Sequence, residues 1–291
     1  MAGRGIDFEH KFNTSRWAED LLLKSLCAET ELVVIRFGLS KVKAAHEVKY
    51  DKSLGKEPDL LIYKASDLTE PEQKILEAGD LSEEGRDKLK RGGELHFIMA
   101  KACAAIEVEF SPYKASEMKG RFWKPKTAEQ WERRPLKNAN PPIAPNIWVK
   151  EEDLSRLNGW EKEFGVPILI AHLFDQEGFA VALKEVNDFN NKFSEAGCDQ
   201  VRLQMTTGIF KKNQTYDRID AQGAREQKIV FVTTPASATK IGDVRDVKIA
   251  AQLGVSTSKK YVTHSIFSGG HITFTPEFIA MLTGMKRSAK S

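Results

Sequence analysis

Apolar and polar positions change period several times along this chain, and each change marks an element. The clearest stretch is Ala105-Ile106-Glu107-Val108-Glu109-Phe110-Ser111, in which Ile106, Val108 and Phe110 alternate with Glu107 and Glu109. A period of two predicts a strand with one buried face. Upstream, Trp17, Leu21, Leu22 and Leu26 recur at helical spacing behind Thr14 or Ser15 as a cap, which predicts a helix over 15–28. Leu32 to Phe37 reads as a buried strand ended by Gly38, and Leu60 to Tyr63 as a second, opened by Pro58-Asp59. The gap over 64–104 reads as three helices, beginning near Thr69, Leu81 and Glu94. His96 lies in the third, beside an apolar face, where a lone histidine is structural.

Further on, Leu154, Leu157, Trp160 and Phe164 predict an amphipathic helix over 151–164, capped by Gly165. Val166 to Phe174 is then a buried strand, and Gln176-Glu177-Gly178 turns the chain into an antiparallel partner, Phe179 to Leu183. The last hundred residues are patterned less clearly. Strands are predicted over 201–210 and 229–234, a helix over 244–253, strands over 262–267 and 272–274 across Ser268-Gly269-Gly270, and a helix over 276–282. Ile249 to Ser256 has the outline of a helix-turn-helix opening, as any helix ended by glycine does. The fold class expected is α/β: a mixed β-sheet flanked by helices, with a helical insertion over about 64–104 and a β-rich C-terminal elaboration. Two units are expected, a core over 1–190 and an α+β elaboration over 191–291 packed on it.

Composition narrows the function classes. With 291 residues the chain can bury a sizeable core. A net charge of +3 is too slight for whole-molecule polyanion binding, so any basic surface must be local. Cys27, Cys103 and Cys198 are odd in number and far apart, which argues against a disulfide framework or zinc cluster and for a reducing compartment. No 18-residue apolar run and no apolar leader occur, so a cytoplasmic protein without a membrane span is expected.

Glu107 and Glu109 at i and i+2 place two carboxylates side by side. A divalent cation relieves their repulsion, and Mg²⁺ prefers carboxylate oxygen. A Glu pair on a solvated strand face has the same pattern, and seven residues do not separate the two. Pairing of the two strands would bring Asp59 to the same end of the sheet. Pro58-Asp59 before one strand and Glu107-Val108-Glu109 on the next resemble the PD-(D/E)xK nuclease superfamily, with Glu109 in place of the usual lysine. That departure is similar to the E-x-E variant of some type II restriction endonucleases. The helix, Gly165-Val166-Pro167, strand and hairpin that follow are also similar, so the resemblance covers about 12–185.

The resemblance implies a restriction-endonuclease-like core and Mg²⁺-dependent, sequence-specific cleavage of double-stranded DNA. Asp59 and Glu107 would hold the metal, Glu109 would act as base or second metal ligand, and Glu19 would be an additional acid on the preceding helix. It further implies a homodimer in a prokaryotic cytoplasm with a cognate DNA methyltransferase. A structure-specific or repair nuclease of the same superfamily fits the acids equally well; from another class, the rival is a DNA-binding protein without catalysis, whose acid pair is merely exposed.

The basic residues favour a nucleic-acid partner. Lys114, Lys119, Arg121, Lys124, Lys126, Arg133, Arg134 and Lys137 follow the acid pair, against Glu117, Glu129 and Glu132, with Tyr113, Phe122, Trp123 and Trp131 interleaved. Basic side chains contact phosphates and flat rings stack or wedge. Lys211 and Lys212 form a second, smaller candidate.

Overall fold

The computed structural model describes residues 6–38, 57–77, 88–89, 93–111, 151–188, 218–219, 225–226, 238–255 and 261–285. Helix α1 (Ile6–Glu29) is longer than the sequence pattern implies, because Thr14 and Ser15 lie inside it and do not cap it. Its buried stripe of Ala18, Leu21, Leu22 and Leu26 has the expected spacing. Thr30 ends it: its hydroxyl donates to Leu26 O and accepts from Leu32 N, which turns the chain directly into β1 (Leu32–Arg36).

β1 pairs antiparallel with β2 (Leu60–Lys64), and β2 with β3 (Ala104–Phe110). A crossover containing α4 (Glu151–Phe164) then places β4 (Ile168–Leu173) parallel to β3, as a connection between parallel neighbours requires. β5 (Glu177–Ala182) returns antiparallel beside β4, and β8 (Thr239–Val255) and β9 (Tyr261–Phe274) complete a seven-stranded mixed sheet curled into a half-barrel. β6 (Arg218–Ile219) and β7 (Arg225–Glu226) pair separately.

Both faces of the sheet are buried. Leu60, Ile62, Ile106, Val108, Leu169 and Ala171 meet α1 and α5 (Pro276–Gly284) on one side. Leu61, Tyr63, Ala105, Ile168 and Ile170 meet Leu154, Leu157, Trp160 and Phe164 of α4 on the other. Thr275 caps α5 by accepting from Phe278 N at 3.3 Å, with Pro276 at the first turn. No helix among the described residues is long and apolar enough to cross a membrane.

Three sequence expectations change. In the insertion, α2 (Glu70–Glu77) forms as expected, but the helix over 94–104 shrinks to α3 (His96–Met99). Cys103 N donates to Ile62 O at 2.8 Å, and Ala104 is already in the sheet, so cross-strand bonding claims residues whose local pattern suits a helix. The helix over 244–253, and with it the helix-turn-helix outline at 249–256, is replaced by β8, paired with β9 over almost its whole length. The two strands placed at 262–267 and 272–274 are one strand, within which Gly269 and Gly270 (φ 64° and 93°) make a bend. The predicted helix at Leu81, the strands at 201–210 and 229–234 and the tail after 285 lie wholly or mostly outside the described residues.

One ion cluster is buried under α1. Arg36 Nη1 reaches Glu19 Oε2 at 3.0 Å, and Nη2 contacts Asp20. Removing one partner of such a pair strands a charge away from water, at a cost of about 3–5 kcal/mol. Arg36→Met should therefore lower unfolding stability by that amount in a urea titration. Arg36→Met combined with Glu19→Leu should regain most of the loss. Equal stability of the single and double variants would mean that the pair is not coupled.

Candidate metal and nucleic-acid site

Asp59 stands one residue before β2 and is held from both sides. Its carbonyl accepts from Phe37 N at 2.8 Å and Gly38 N at 3.3 Å, where β1 ends. Its Oδ2 accepts from Val108 N of β3 at 2.7 Å. Gly38 makes the approach possible: a Cβ there would lie 3.0 Å from Pro58 O and 3.3 Å from Asp59 Oδ1. The carboxylate is thus fixed against the backbone beside Glu107.

The β2–β3 register pairs Leu60 with Ile106, so one step further along are Asp59 and Glu107. Glu107 is only 2% exposed, and its carboxyl group depends on neighbouring groups more than on water. Glu109 is half-buried, as burial falls toward the C-terminal end of β3. Residues 105, 107, 109 and 111 share the face turned away from α1, since Ile106 and Val108 pack on the α1 side.

β4 adds a group on that same face. His172 is paired in register with Glu109, fully buried, and stacked on Phe174 with ring centroids 4.6 Å apart. His172 Nε2 and Ser111 Oγ share a hydrogen bond of 2.8 Å. Burial pushes the imidazole down to a pKa of about 3, so it stays neutral near pH 7 and orients the Ser111 hydroxyl. The sequence pattern places His172 in a buried strand and assigns it no role at the site. A single polar residue in Ile-Leu-Ile-Ala-His-Leu-Phe is the available signal, but its neighbours depend on the β3–β4 register.

Glu19 is placed elsewhere. It lies on the α1 side of the sheet, 5% exposed and bonded to Arg36, while Glu107 and Glu109 turn to the opposite side. The register thus sets Asp59 beside Glu107, with Glu109 two residues further along the same face of β3, and Glu19 does not join them. Lys114, Lys119, Arg121, Lys124, Lys126, Arg133, Arg134, Lys137, Lys211 and Lys212 all lie outside the described residues.

Mg²⁺ is usually held by one or two protein carboxylates, with waters and substrate phosphates completing its octahedron. Asp59 and Glu107 on adjacent strands supply that donor chemistry. Among the described residues no group of three or more His, Cys, Asp or Glu is arranged to hold a metal ion, so no all-protein cage is formed.

The buried histidine has a stability consequence. Its pKa is about 3 in the fold and about 6.5 when unfolded, so the unfolded chain binds the extra proton. The stability associated with neutral His172 is complete above about pH 6.5 and is lost as pH falls toward 3. In urea titrations between pH 7 and 4, His172→Phe should be less stable at neutral pH but show a shallower decline with acidity. A parallel decline in both proteins would refute the buried neutral state.

Compared with protein-family models, with curated proteins and with solved structures, the chain matches none of them.

Proposed function

We propose that this protein is a Mg²⁺-dependent endonuclease acting on double-stranded DNA, of the type II restriction kind. The observation that carries the reading is the meeting of Asp59 and Glu107 on adjacent strands, with Asp59 held rigidly by Val108 N. Two further features support it. The order α1, β1, β2, α2, α3, β3, α4, β4, β5 is compatible with the nuclease resemblance of the sequence, and Glu109 lies on the same face of β3 as Glu107, where burial falls.

In this reading Asp59 and Glu107 hold the metal. When bound, the ion lowers the pKa of water and neutralises charge on the phosphate under attack. Glu109 would be the group to accept a proton from water, a role in which lysine would need a depressed pKa. Ser111, its hydroxyl fixed by neutral His172, offers a polar contact two residues further along. The basic run at 114–137 supplies phosphate contacts, two copies of the chain cut the two strands, and a methyltransferase protects the host's own sites.

Substitution of the acids tests the chemistry. Asp59→Asn is the informative change, because the amide oxygen can still accept from Val108 N while the charge is removed. Asp59→Asn, Glu107→Gln and Glu109→Gln should each lose cleavage of a plasmid with Mg²⁺, by on the order of 10²-fold or more. All three should still shift duplex DNA in Ca²⁺. Glu109→Lys should be at least as damaging as Glu109→Gln, since it places a cation beside the metal. Near wild-type single-turnover cutting by Glu109→Lys would show that Glu109 is not the proton acceptor. For the wild type, discrete fragments favour a restriction enzyme, nicking or smearing a repair nuclease, and a shift without cutting a DNA-binding protein.

The basic run is tested separately. Neutralising Lys124, Lys126, Arg133 and Arg134 together should weaken binding to all sequences alike. The slope of log K against log salt should fall by about 0.9 for each phosphate that the variant no longer neutralises. An unchanged slope would leave this run as a solvated surface.

A further inference from the structure

β8 belongs to the sheet only at its start. It pairs with β5 as far as Asp243, and Val244 N donates to Gln176 O at 2.7 Å. Beyond that, among the described residues, nine pairs from Val247↔Gly269 to Val255↔Tyr261 continue with β9 alone. At about 3.4 Å per residue, this two-stranded ribbon extends roughly 30 Å.

A bend aims it. Asp246 has φ 57°, Gly269 and Gly270 are also left-handed, and pairing skips the Asp246/Gly270 position. The bend exchanges the two faces: Val244 and Ile272 are buried before it and Phe267 after it. Phe267 packs on Trp17 and Phe110 at centroid distances of 5.1 and 5.0 Å, and Trp17 Nε1 donates to Gly269 O at 3.0 Å. The odd-numbered face is therefore anchored to α1 at its root. The even-numbered face, turned away from α1, carries Lys248, Ala250 and Gln252 paired with Ser268, Ile266 and His264.

Its charge selects a partner. From Val247 to Pro276 the sequence has no Asp or Glu, but it has Lys248, Lys259 and Lys260. The flanking acids are Asp243, held by Lys240 at 2.5 Å and Arg245 at 3.7 Å, Asp246, which meets His271 at 3.2 Å, and Glu277 in the first turn of α5. A projecting antiparallel ribbon that is acid-free, basic and lined with exposed donors and acceptors suits a polyanion, and a two-stranded ribbon fits the major groove of B-form DNA.

We infer that the β8–β9 ribbon enters the major groove of double-stranded DNA with its Lys248 and Gln252 face toward the bases. This rests on the DNA-endonuclease reading for the choice of duplex DNA as ligand, and names the element that reads sequence. Lys pairs with guanine acceptors and Gln with the adenine edge, so these two side chains carry discrimination that the basic run, bound to phosphates, does not. The rival occupant is a second copy of the chain, seated on Ile249 and Leu253, which are 55% and 67% exposed on the other face.

The test uses the full chain carrying Glu107→Gln, with and without Lys248→Ala and Gln252→Ala. Both positions are exposed, so melting temperature should not move. Binding to a fluorescent mixed-sequence duplex is measured across salt, and bound sequences are selected from a random duplex pool. Each ribbon substitution should weaken binding to the selected sequence by on the order of 10-fold and relax preference at the bases it contacts. Unchanged affinity with the same selected sequence overturns the inference. So does a dimer that Ile249→Ser with Leu253→Ser dissociates, if the Lys248 and Gln252 variants bind normally. Ribbon-dependent binding by a wild type that never cuts sustains this inference and defeats the nuclease reading. Cutting with ribbon-independent binding does the reverse, and a wild type that binds no duplex defeats both.

Discussion

The carbonyl and carboxylate of Asp59 tie three strands together. Through its carbonyl it closes the end of β1, by its position it opens β2, and through its side chain it takes Val108 N of β3. A charge-assisted bond of this kind is stronger than a neutral one, and strongest where water is scarce. The residue that would hold a metal is therefore the one that fixes the strand bearing Glu107 and Glu109. The position of the site's acid and the join between β2 and β3 rest on a single carboxylate, which is why an isosteric amide separates the two roles and alanine does not.

The sheet then sorts its charged and polar side chains by face. Arg36 is shared by Glu19 and the more exposed Asp20 on the α1 side, an attraction that offsets part of the cost of removing charge from water. On the opposite face, Glu107, Glu109, Ser111 and His172 lie along the C-terminal half of β3 and the neighbouring part of β4. Side chains alternate along every strand, so the two groups stay on separate faces of one sheet. His172 completes the second group without adding charge, because burial keeps it neutral.

The C-terminal strands continue this architecture outward. Isolated hairpins are marginal in water, yet this ribbon is anchored at its root by Phe267 on Trp17 and Phe110 and by the buried bond from Ile272 N to Ser25 Oγ. The left-handed positions at the bend let the chain leave the half-barrel without breaking the ladder on either side. β8 joins the sheet beside β5, three strands from β3, but Phe267 at the ribbon's root packs on Phe110 at the end of β3.

Strong local periodicity was legible in the residues alone. The helix over Glu151–Phe164, the strand around Glu107 and Glu109, the short strands of the first half and the final helix at Pro276 all follow from spacing, because burial of one stripe or one face is a local requirement. The placement of Asp59 beside Glu107 was legible too, as an acid at the mouth of one strand and acids on the next. Other features depended on partners distant in sequence. Val244 to Leu253 carries apolar residues at spacings compatible with helix or strand, and only pairing with Tyr261–Phe274 selects the strand. Glu19 reads as an additional acid of the site until Arg36 is brought to it from β1, and His172 reads as one more core residue until the parallel register sets it beside Glu109. Local pattern dictates which faces must be buried, but the register between strands some sixty residues apart is settled only when the whole sheet closes around one core.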